Sequence, residues 1–275
     1  MTQKGFNDYL YTIYGYQTGT ANSYIQAIRI IDRMFSYDDV FNLNGESITT
    51  INNYELLIRI EEFIRIQQSL YKKGEFSMFR NISTGQQSYP GKGFCTAAVK
   101  QLLNYYKYQS NEKKAWDLLK TKPKAKSVAK DLITIFKIDK EGKDKITTTS
   151  IRLGQNYFRK MILHNYENRC CITGLNIPQT LRASHITTWA SDKVNRMNPE
   201  NGLCLSATYD AAFDKHLISF DENYRMIISK EIKDYYTNDI TKYYFKNYEG
   251  KQISLPYQYL PSKKLLEKHR ELMIV

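Results

Sequence analysis

A chain of 275 residues is long enough for one large domain or two modest ones. With 42% hydrophobic and 25% charged residues it can build a core and stay soluble, and its apolar runs are far too short to span a membrane. A net charge of +12 points to a polyanionic partner, above all nucleic acid.

In chain order, the first elements read as helices. Gly19–Phe35 begins with polar cap candidates and places Tyr24, Ile25, Ile28, Ile31 and Phe35 on one face. Ile51–Ile66 repeats the pattern with Tyr54, Ile58, Phe63 and Ile66, and Thr96–Tyr106 does so with Val99, Leu102, Leu103 and Tyr106. The Gly/Pro-rich stretch from Gly85 to Gly93 reads as a loop. These segments predict a helical N-terminal domain over residues 1–120, suited to site recognition or dimerisation. Residues 1–110 carry 11 basic and 9 acidic groups, a near balance that favours dimerisation over broad phosphate binding.

The stretch Lys120-Thr-Lys-Pro-Lys-Ala-Lys126 reads as the start of a basic linker over 121–149, continued by Lys130, Lys137, Lys140, Lys143 and Lys145. It is either an arm along a phosphate backbone or a solvated connector. An amphipathic helix over Ser150–Tyr166 then leads to a turn at Cys171-Ile-Thr-Gly174. Thr180–Ile186 alternates like a strand, Asn198–Gly202 reads as a turn with a common Asn-Gly pair, and Leu203–Leu205 as a short strand. Ser206–Asp214 reads as a helix, and Leu217–Phe220 with Arg225–Ile228 as a terminal hairpin. The expected fold class is α+β, a helical N-terminal domain followed by a second domain over 150–275.

The N-terminus lacks the charged-then-apolar layout of a leader, so a cytoplasmic protein is expected. Cys95, Cys170, Cys171 and Cys204 make neither a disulfide framework nor paired Cys-x-x-Cys metal ligands, and read as buried thiols. His164 and His269 lie in charged, helix-like surroundings and read as surface residues.

The chemistry concentrates in the second half. His185 closes a strand and titrates near working pH, which suits a general base for phosphodiester hydrolysis. Asn201 cannot move protons but can hold two arms of a loop and orient the histidine. Asp210 and Asp214 are four apart, so on a helix both reach one cation, and His216 just beyond can add a nitrogen ligand or contact phosphate.

Arg152-Leu-Gly-Gln155, Phe158-Arg159, Cys171-Ile-Thr-Gly174, Ala183-Ser-His-Ile186 with Trp189, Asn198-Pro-Glu-Asn-Gly-Leu203, Ala212-Phe-Asp214, Leu255-Pro256 and His269-Arg270 occur in this order. Together they resemble the HNH endonuclease family of the ββα-metal fold, in its restriction-endonuclease-like branch. The resemblance runs from about Arg152 to the C-terminus and leaves residues 1–120 uncovered. It implies His185 as base, Asn201 as the loop asparagine, and Asp210 (or Tyr209) in place of the family's helix histidine. Ser184 stands where many members carry a metal-binding Asp or His. The implied reaction is Mg²⁺- or Mn²⁺-assisted hydrolysis of double-stranded DNA, leaving 5′-phosphate and 3′-hydroxyl ends. A homodimer is expected for a double-strand break. The alternatives are a DNA-binding or regulatory protein with an inactive HNH fold, and a non-specific phage-defence nuclease.

Overall fold

Thr2, Thr18 and Asn53 each turn a side-chain oxygen onto a free backbone N–H, and each starts a helix. The computed structural model describes residues 1–81, 86–121, 123–138 and 145–273. The chain divides into two units, Met1–Lys114 and Ala115–Val275. Among the described residues no helix is long and apolar enough to cross a membrane.

The first unit is helical: α1 (Gln3–Tyr14), α2 (Gly19–Tyr37), α3 (Tyr54–Lys72) and the first part of α4 (Phe94–Lys120). Helix α1 is an addition to the sequence expectation. Helix α2 buries Ile25, Ile28, Ile31 and Phe35 as expected. In α3 the buried stripe is instead Leu57, Ile60, Ile64 and Gln68, while Ile58 and Ile66 are exposed. Apolar residues occur all around that helix, so periodicity alone admits two stripes. Of the expected loop, Gly85 lies outside the described residues, and Ser88–Gly91 forms one helical turn.

The second unit holds α5 (Ala125–Phe136), α6 (Lys145–Asn165), β1 (Leu181–His185), β2 (Gly202–Ser206), α7 (Ala207–Asp214), β3 (Ile218–Phe220), β4 (Met226–Ile228) and α8 (Lys263–Arg270). Strands β1 and β2 are antiparallel with His185 opposite Gly202, and β3 and β4 form a hairpin with Ile218 opposite Ile228. The chain is thus mixed, mostly helical with small antiparallel sheets.

Much of the stretch expected as a connector is helix. Ala125, Val128, Ala129, Leu132 and Phe136 fall at helical spacing and are buried, which fixes α5 against α6 and the turn Pro199–Asn201. Lys124, Lys126, Lys130 and Lys137 stay exposed; Lys122, Lys140 and Lys143 lie outside the described residues. All four cysteines are free and buried, as expected.

Candidate active site

A cleft of about 600 Å³ opens between α6, β1 and α7. Gln155, Phe158 and Arg159 come from α6, Arg182 through His185 from β1, Thr188 and Trp189 from the following loop, and Asp210 and Asp214 from α7. The order strand, loop, strand, helix brings the sequence-predicted His185, Asp210 and Asp214 to one place.

Gly202 sets the floor. A Cβ there would lie 2.3 Å from Ile162 and 2.9 Å from Phe158, so glycine lets α6 press directly onto β2. The φ of Gly202 is −134°, which any residue adopts, so the requirement for glycine is space; the expected turn lies just before it, at Pro199–Asn201. The Phe158 ring held there stacks on His185, centroids 3.9 Å apart at 13°, while Trp189 meets the imidazole edge-on at 5.6 Å. His185 Nε2 lies 3.1 Å from the carbonyl oxygen of Arg196. A carbonyl only accepts, so Nε2 carries the proton and Nδ1 carries the lone pair. Burial pulls the imidazole pKa below its usual 6.5, against an opposing pull from the Arg196 carbonyl. At neutral pH His185 is therefore an unprotonated base.

Asn201 is fully buried and does not line the cleft. Its Oδ1 accepts from Thr187 N at 2.9 Å and Thr187 Oγ1 at 3.1 Å. Its Nδ2 donates to Thr187 O at 3.1 Å and Asn195 O at 3.0 Å. The amide thus clamps both ends of the 187–195 loop directly beyond His185. Asp192 tightens the same loop by accepting from Thr187 Oγ1 and from Asn195 N and Nδ2. Arg196 Nε donates to Trp189 O at 2.7 Å, fixing the ring that edges the imidazole.

On α7, Asp210 Oδ1 accepts from Ser184 Oγ at 2.5 Å, joining helix to strand across the cleft. Burial and the neighbouring Asp210 charge push the Asp214 carboxyl up, while His216 pulls it down. His216 is not brought to the cleft. It follows the helix end in a left-handed conformation (φ 57°), with its ring 4.5 Å from His269 and its Nδ1 buried without a hydrogen-bond partner. Among the described residues, no three His, Cys, Asp or Glu side chains converge as a ready metal cage.

His269 corrects the surface expectation: it is 3% exposed, stacked flat on Phe213 at 3.8 Å. Its Nε2 donates to Phe213 O and its Nδ1 faces Ser219 Oγ, both at 3.0 Å. Burial first, then the His216 charge, lowers its pKa to about 4. It is a structural pin between α8 and the end of α7. His164 is exposed as expected.

Two arginines gain a place that sequence reasoning did not give them. Arg159 donates to the carbonyl oxygens of Leu181 at 2.7 Å and Pro178 at 2.9 Å, and Arg182 to that of Leu181 at 2.9 Å. Both side chains line the cleft, and Arg159 lies within electrostatic reach of Asp210. The available signal was the alternation of β1, which puts Arg182 and Ser184 on one face.

No curated protein matches the chain. Residues 170–221, from the Cys170 turn through β1, its loop, β2, α7 and β3, match the family model described as HNH endonuclease, and that match supports a nuclease.

Proposed function

We propose that this protein is a metal-dependent DNA endonuclease, of restriction type, with His185 as the general base. The observation that carries the reading is the His185 imidazole: neutral, its Nε2 committed to Arg196 O, and set in one cleft with Asp210, Asp214, Arg159 and Arg182. Phosphodiester hydrolysis needs a base for water and positive charge for the phosphoryl oxygens.

His185 Nδ1 accepts the proton of the attacking water. Phe158 and Trp189 fix the ring plane, and Asn201 holds the loop that supplies Trp189 and Arg196. Arg159 and Arg182, both tied to backbone carbonyls, draw the phosphate into the cleft. Asp210 and Asp214 are oxygen donors, and burial together with the Asp210 charge makes an ionised Asp214 costly, which fits a hard divalent cation such as Mg²⁺ or Mn²⁺. When bound, such a cation supplies positive charge to the phosphoryl and leaving oxygens.

A second reading, a nucleic-acid-binding protein without cleavage, is favoured by the Ser184–Asp210 hydrogen bond, which engages one carboxylate oxygen. The two separate on a DNA library carrying methylated and unmethylated cytosine and adenine, incubated with Mg²⁺ or Mn²⁺ and sequenced at its ends. The endonuclease yields 5′-phosphate and 3′-hydroxyl ends at a recurring sequence. Tight binding with every member left intact supports the second reading.

A further inference from the structure

A second recess, also about 600 Å³, lies in the same unit and shares no lining residue with the cleft. Trp116, Leu119 and Lys120 line it from α4, His164 from α6, and Tyr257 and Gln258 from the segment before α8. The His164 ring stands nearly perpendicular to both neighbours, 80° to Trp116 at 5.2 Å and 87° to Tyr257 at 5.9 Å. The His164 ring thus packs edge to face with both neighbours, and Tyr257 remains 58% exposed at the mouth of the recess.

The walls are braced from behind. Trp116 rests on Tyr157 at 5.3 Å, which is fully buried and rests on Phe136 at 4.8 Å. Asn165, 5% exposed, clamps the opposite wall. Its Oδ1 accepts from Gln258 N at 3.1 Å, its Nδ2 donates to Gln258 O at 2.5 Å, and its carbonyl accepts from Tyr257 N at 3.2 Å. An exposed aromatic and an amide side chain are thus held on a fixed backbone, which lowers the ordering cost of binding.

The chemistry selects the occupant. Aromatic walls suit either a cation or a flat π-system. The Lys120 ammonium at the rim disfavours a cation. The Gln258 amide offers both donors and an acceptor to a heterocycle edge. Lys120 pairs with Asp117 at 2.9 Å, but both groups are exposed, and such a pair is weak enough to yield its ammonium to a phosphate. The volume falls within the roughly 300–1,000 Å³ of small-molecule sites. We propose that the recess lined by Trp116, His164 and Tyr257 binds a nucleobase carried on a phosphate, with the base stacked on the exposed Tyr257 ring and the phosphate at Lys120. Two sources share that chemistry: a base swung out of the DNA strand, and a free nucleotide.

The test uses the full chain in EDTA, so that cleavage does not enter. Calorimetric titration with each of the four deoxynucleoside 5′-monophosphates, and with deoxyribose 5-phosphate, reads the site directly. At least one nucleotide binds and the sugar phosphate does not. Tyr257→Ala weakens binding by at least about fivefold, the lower end of base–aromatic stacking, while Tyr257→Phe matches the parent. Thermal melts confirm that the variants are folded. A duplex carrying 2-aminopurine distinguishes the sources: brightening that Tyr257→Ala abolishes assigns a swung-out base, and nucleotide binding without brightening assigns a free nucleotide. Absence of both signals, or binding unchanged in Tyr257→Ala and His164→Ala, overturns the proposal. A chain that never cuts DNA gives the same readouts, so this result stands apart from the endonuclease reading.

Discussion

Gly202 couples the strand pair to the helix behind it, because the space that its missing side chain leaves is filled by Ile162 and Phe158. Gly202→Ala should push Phe158 off the His185 ring and cost about 1–3 kcal/mol of stability. Urea denaturation reads the stability, and the accompanying loss of cleavage should exceed the loss of folded protein. His269 makes a second prediction. Unfolded, its imidazole titrates near 6.5, and folded near 4. Between those values the unfolded chain binds more protons, so this group's contribution to stability falls as pH drops through that window, by roughly 3 kcal/mol. His269→Gln should therefore flatten the dependence of urea stability between pH 7 and pH 4; an equal slope in both proteins contradicts the assignment. At this scale the meeting of His185, Asp210 and Asp214 in one cleft was legible from their order and spacing, whereas the place of Asn201 behind the loop, outside the cleft, was not. The burial of His269 was not, since Phe213 and Ser219 pack on it from fifty or more residues away in the chain. The two arginines of the cleft were visible as residues, but their place depends on carbonyl oxygens that pattern alone does not locate.

Helix α5 shows how an element escapes sequence reading. Alternating lysines and a proline mark a connector, yet the apolar residues from Ala125 to Phe136 give it a buried side that faces α6 and the Asn201 turn. The lysines are the solvent side of that helix. Lys126 lies close enough to Glu200 to lower its carboxyl pKa against the larger upward push of burial. We propose that the exposed set Lys124, Lys126 and Lys130 contacts a phosphate backbone. Replacing these three with Gln should reduce the slope of log affinity for duplex DNA against log salt by about 0.9 for each phosphate that a lysine had neutralised. An unchanged slope makes them plain solvent-facing lysines. The ββα order was legible because each of its elements has a distinct signal: alternation in β1, a turn before β2, and Ser206 ahead of α7. Helix α3 was legible as a helix but not in its buried face, which tertiary packing chooses among competing apolar stripes.

At the scale of the whole molecule, the division between units falls at Lys114/Ala115, inside the continuous helix α4. Composition changes at the lysine-rich stretch further on, so a boundary placed by composition lands later, near 120. The helical first unit carries 13 basic and 10 acidic groups, +3 of the chain's +12, and we propose that it pairs two chains. A single cleft addresses one strand, so a double-strand cut calls for two copies. Sedimentation on a cognate duplex should show two chains per DNA, and plasmid digestion should pass from supercoiled to linear without a lasting nicked form. One chain per duplex with accumulation of nicked circles contradicts the dimer.

We propose that the cleft holding His185 and Asp210 cuts DNA. The direct measurement is plasmid cleavage with Mg²⁺ by the parent, His185→Ala and Asp210→Ala, with DNA binding measured in parallel. The parent should cut, both variants should lose cleavage by at least about a hundredfold, and both should still bind DNA. Equal cleavage by the parent and His185→Ala would contradict the proposal.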